Sequence, residues 1–117
     1  MAIQASVTTI FQAVGALGGS DSITNSMVTP TNTNAPPPSA AQLQPGNNVI
    51  YVPQGFTVNV AMIRSPSTST NAKTAKVQSS DANSGSWTNQ PIVYPVTGLS
   101  TFAIYSTGTE TVEINWS

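Results

Sequence analysis

The sequence contains no cysteine and no histidine, and only 6% of its 117 residues are charged. Without cysteine there can be no disulfide framework, thiolate nucleophile, zinc–thiolate site or iron–sulfur cluster. Without histidine the chain lacks the usual general base near neutral pH, the commonest metal ligand and every Ser-His arrangement. The carboxylates are Asp21, Asp81, Glu110 and Glu113, and the cations are Arg64, Lys73 and Lys76. Three basic side chains cannot neutralise the roughly six to ten phosphates of a typical nucleic-acid interface, so no nucleic-acid partner is expected. No run approaches the ~18 apolar residues of a membrane-spanning helix, and no membrane partner is expected. Residues 1–19 hold no Lys or Arg, and Gln4, Ser6, Thr8, Thr9 and Gln12 interrupt their apolar positions, so they do not read as a secretory signal.

Uncharged polar residues take the place of charge. Ser, Thr, Asn and Gln supply 48 of the 117 residues, and the net charge is −1. Disordered chains combine low hydrophobicity with high net charge, which this chain does not have. Its composition suits short strands separated by polar turns.

Three regions differ in composition. In residues 1–28, Ile3, Ala5, Val7, Thr9, Phe11 and Ala13 fall at the spacing of a strand, and Ile3, Val7, Ile10, Val14 and Leu17 at that of a helix. The β-branched run Val7-Thr8-Thr9-Ile10 favours an extended arm or edge strand, with a second short strand over Ile23 to Val28. Residues 29–48, TPTNTNAPPPSAAQLQPGNN, carry five prolines and no charge. They read as a stiff, polyproline-like strap that forms neither helix nor central strand. Residues 49–117 read as a β-domain. Strands are expected over Val49–Val52, Phe56–Ile63, Ala72–Gln78 and Ile92–Tyr94, the last an edge strand between Pro91 and Pro95. A closing hairpin is expected, pairing Thr101–Tyr105 with Thr111–Trp116 across Ser106-Thr107-Gly108-Thr109. The fold class that follows is all-β: a small antiparallel sandwich or barrel with an N-terminal arm and a Pro-rich strap.

No catalytic, cofactor-binding or metal-binding residues are assigned, and no cofactor is expected. Glu110 and Glu113, three apart on a strand, point to opposite faces and cannot form a local acid–base dyad. They read as solubilising charges that protect the edge of the last strand, and Lys73 and Lys76 as charges that blunt sheet edges. Arg64 directly follows an apolar strand, and Arg is enriched in interface cores, so it is expected at a subunit contact. Further expected interface residues are Ile3, Val7 and Phe11 in the arm and Pro36, Pro37 and Pro38 in the strap. Phe56, Phe102, Tyr105 and Trp116 read as core. Trp87, beside Asn83, Asn89 and Gln90, reads as a plug at the barrel mouth rather than a sugar platform.

The arm MAIQASVTTIF, the neutral Thr/Asn/Pro strap and the compact β-unit ending in TVEINWS together resemble the capsid decoration, or cement, proteins of tailed bacteriophages. The resemblance is one of pattern over the whole chain and carries no functional residues across. It implies a non-enzymatic virion protein, made in the host cytoplasm, that clamps neighbouring major capsid subunits. Homo-oligomerisation, as a trimer, is implied as well. Charge-poor, Ser/Thr/Asn-rich strands also occur in phage tails and fibres, so a receptor- or glycan-binding module is the alternative.

Overall fold

A computed structural model describes residues 7–12, 20–25 and 34–117, the first two stretches as backbone alone. Among the described residues nine short strands follow one another: β1 (Val7–Gln12), β2 (Ser20–Asn25), β3 (Ser39–Leu43), β4 (Gly46–Tyr51), β5 (Val60–Arg64), β6 (Lys73–Lys76), β7 (Ile92–Pro95), β8 (Thr101–Ser106) and β9 (Glu110–Trp116). They pair antiparallel throughout. The larger sheet has the order β3-β9-β5-β7, the smaller has β4-β8-β6, and β1 with β2 forms a two-stranded ribbon. The two sheets pack face to face, so the chain is an all-β sandwich.

The core lies between the sheets. The smaller sheet contributes Ile50, Phe102 and Ile104, and the larger contributes Leu43, Ala61, Ile63, Val112, Ile114 and Trp116. Phe102 is the aromatic hub: Tyr94 lies 5.5 Å from its ring and Trp116 meets it edge-on at 6.4 Å. Both are favourable arrangements of ring quadrupoles. The C-terminus is tied in by backbone bonds, with Ser117 donating to Val60 and accepting from Asn59 and Val60.

Three expectations need correction. The segment read as a strap is partly sheet, because Ser39–Leu43 pairs along β9 and Leu43 is fully buried. Pro36 to Pro38 end before β3 starts, and Pro45 stands at the corner between β3 and β4, so no proline has to donate within a ladder. Asn48 staples that corner. It accepts from Gln44 N and donates to Gln44 O, Gly46 O and Ile104 O. The corner also needs Gly46, whose φ of 102° disfavours a residue with a Cβ.

The last two strands are not a hairpin. β8 is the centre of the smaller sheet and β9 an interior strand of the larger one, so residues 107–109 cross from sheet to sheet. The apolar faces explain this. Phe102 and Ile104 pack against Val112 and Ile114 across the core, which requires different layers.

The strand expected from Phe56 begins only at Val60, and Phe56 is 43% exposed. Every residue of β5 is buried, so alternation could not tell its two faces apart. Ala61 and Ile63 face the core, while Val60 and Met62 face the other way and form a separate cluster with Val93. Ile92–Pro95 does lie at a sheet edge, as its flanking prolines indicate.

Candidate functional site

One ion pair of the sandwich points inward. Glu110 is in phase with Val112, Ile114 and Trp116 on β9, and Lys73 is in phase with Ala75 on β6. Both therefore point between the sheets. Lys73 Nζ lies 3.0 Å from Glu110 Oε2, with side-chain exposures of 0% and 6%. The ammonium also donates to Asn71 O (2.8 Å), Thr88 O (2.7 Å) and Ser69 Oγ (3.2 Å). It sits 5.7 Å from the ring centre of Trp87, which closes this end of the core and donates its indole N–H to Ser65 Oγ. Glu110 Oε1 accepts from the Ser69 hydroxyl and from Asn71 Nδ2. Burial pushes the Glu110 carboxyl upward, but the hydrogen bonds from Ser69, Asn71 and Lys73, with the lysine charge, outweigh it and hold the pKa below the ordinary 4.5.

The second pair lies on the outer face of the larger sheet. Arg64 and Glu113 are cross-strand neighbours in the β5–β9 register, with Nη2 and Oε2 3.1 Å apart and exposures of 6% and 0%. Lys76 is 6% exposed, donates to Asp81 O and Asn83 Oδ1, and covers the Tyr105 ring at 5.8 Å. Asp81, which accepts from Gln78 N, is exposed.

These positions revise the roles expected of the charges. Glu110 and Glu113 protect no edge, because β9 is an interior strand. Lys73 and Lys76 are buried and blunt nothing. Arg64 is engaged within its own chain. Phase along the strands already held the signal for Glu110 and Lys73. Nothing local pointed to Ser69 and Asn71, which reach Glu110 from a loop some forty residues earlier. Of the expected interface residues, Pro36 is buried while Pro37 and Pro38 are exposed. Ile3 lies outside the described residues, and Val7 and Phe11 are placed by backbone only, in β1.

With Arg64, Lys73, Lys76, Glu110 and Glu113 engaged within the chain, the surface that the described side chains form carries little charge beyond Asp81. β3 and β4 are both edge strands, joined through Gln44-Pro45, and their side of the sandwich exposes Ala40, Gln42, Asn47, Val49 and Tyr51. Val49 is 54% and Tyr51 75% exposed. An edge strand presents unpaired N–H and C=O groups, and charge or proline within the strand is the usual protection. β3 and β4 contain neither. Next to this side, a shallow cleft of about 340 Å³ opens between the β4–β5 loop, including Phe56, and the turn at Thr97-Gly98-Leu99. A second, of about 340 Å³, lies over Thr74, Gly85 and Tyr94. Among the described residues no charged side chain lines either cleft. Comparison of the chain with protein-family models, curated protein sequences and solved structures finds no match.

Proposed function

We propose that this chain is a non-enzymatic structural protein of a tailed-phage virion that stabilises the shell by bridging capsid subunits. One observation carries the reading. Among the described side chains the sandwich pairs or buries every charge but Asp81, and it offers two neighbouring edge strands with neither charge nor proline. A neutral surface does not repel identical neighbours, and low surface charge favours association over solubility. Open edges accept a partner's strand through backbone hydrogen bonds, with alternate side chains such as Val49 and Tyr51 supplying fit. Self-association belongs to the same reading: light scattering on the isolated protein is expected to give about three chains per particle, and a stable monomer counts against it.

Receptor or glycan binding on a tail or fibre is the second reading. Its support is Tyr51 and the half-buried Tyr105, set on the outer face of the smaller sheet among Asn47 and Thr101. Co-sedimentation with capsids assembled without the protein separates the two. The virion reading expects saturable binding at a fixed ratio to the major capsid protein and a raised shell melting temperature. Binding to host cells with none to capsids favours the second reading and overturns the first.

A further inference from the structure

We infer that the outer face of the larger sheet is the seat of this chain's own N-terminal ribbon, so that the ribbon forms a third layer of the fold in cis. The inference holds whether or not the chain sits on a virion.

In the single chain this face is sealed over β5 and β9, while Ala40 and Gln42 of β3 on the same face stay exposed. Val60 and Met62 are each 1% exposed although they point away from the core, and on the same face Glu113 is 0% and Asn115 7% exposed. Among the described residues the apolar side chain packed on Val60 and Met62 is Val93, which lies in the same sheet and cannot roof it. The smaller sheet covers the opposite face. Glu113 Oε1 and Asn115 Nδ2 on this face are also buried from solvent. Something in the same chain lies over β5, and residues before Asn34 are available to do so.

Three observations point to the ribbon. The β1 backbone approaches β9 and the β2 backbone approaches β7, the strands on either side of β5. Asn34 is anchored to the loop that leads into β5, accepting from Thr57 N and donating from its side chain to Gly55 O. The β1–β2 register sets Val7, Thr9 and Phe11 opposite Asn25, Ile23 and Asp21, so the apolar Val7, Phe11 and Ile23 share one face of the ribbon with Thr9, Asn25 and Asp21. A two-stranded ribbon is marginal alone in water and needs a surface to bury such a face against.

The absence of cysteine makes the test clean. In the full chain, the thiol of M62C is expected to react with a maleimide at least about tenfold more slowly than that of Y51C, as local protection requires. Cysteines placed in turn along Val7–Gln12 are then combined with M62C, and along Ser20–Asn25 with V93C, and oxidised mildly. The inference expects an intrachain disulfide in at least one member of each series. The V93C series keeps the test intact if M62C perturbs the fold. Fast labelling of M62C, no disulfide in either series, or disulfides that form only between chains would each overturn it, the last by assigning the cover to a second copy.

Discussion

Lys73 and Glu110 meet between the sheets, where removing one partner strands the other. Deleting one member of a buried ion pair costs about 3–5 kcal/mol, whereas an apolar replacement of both is often neutral. K73M is therefore expected to lower unfolding stability by about 3 kcal/mol, and the double variant K73M/E110L to recover most of the loss, as read by urea denaturation. The pair also sets an acid limit. The folded Glu110 pKa lies below its ordinary 4.5, so the stabilisation is complete above that value and is lost as pH falls through the lower folded value. E110Q is expected to flatten the fall of Tm below about pH 4.5 relative to the parent; an unchanged slope would contradict the assignment. Gly108 supports the same network by its size, since a Cβ there would stand 2.2 Å from Asn71 Oδ1. G108A displaces the Asn71 side chain from Glu110 and is expected to cost about 1–2 kcal/mol.

At the scale of elements, strands were legible where apolar and polar residues alternate, whether or not the polar face is itself buried. Alternation marks the inward residues of β9, and flanking prolines mark β7 as an edge. It fails on β5, sealed on both sides, and on β3, whose inward residues are as small as Ala41. It cannot see that β8 and β9 belong to different sheets, because a hairpin and a crossover turn share the same Gly/Thr/Ser chemistry. The inward charges were within reach through their phase, but their distant partners Ser69 and Asn71 were not. Low charge read as a property of the whole chain, whereas the burial of most of the described charges in ion pairs and hydrogen bonds becomes visible only in three dimensions. The edge strands carry a direct prediction. V49K places a charge on the exposed side of β4, should leave stability within about 0.5 kcal/mol, and should weaken capsid binding at least about tenfold. Full binding by a folded V49K protein would remove β4 from the contact.

At the scale of the whole molecule, the account rests on a sandwich that spends its charges on itself and meets partners through neutral polar and apolar contacts. Such contacts are not screened by salt, whereas attachment through exposed ion pairs is. The decisive measurement is the affinity of the full chain for capsids assembled without it, followed from 0.1 M to 1 M salt as the Debye length falls from about 10 Å to about 3 Å. The account predicts that affinity stays within about twofold over this range, since steering and pairing of surface charge contribute little. Release of the protein by 1 M salt alone would contradict it.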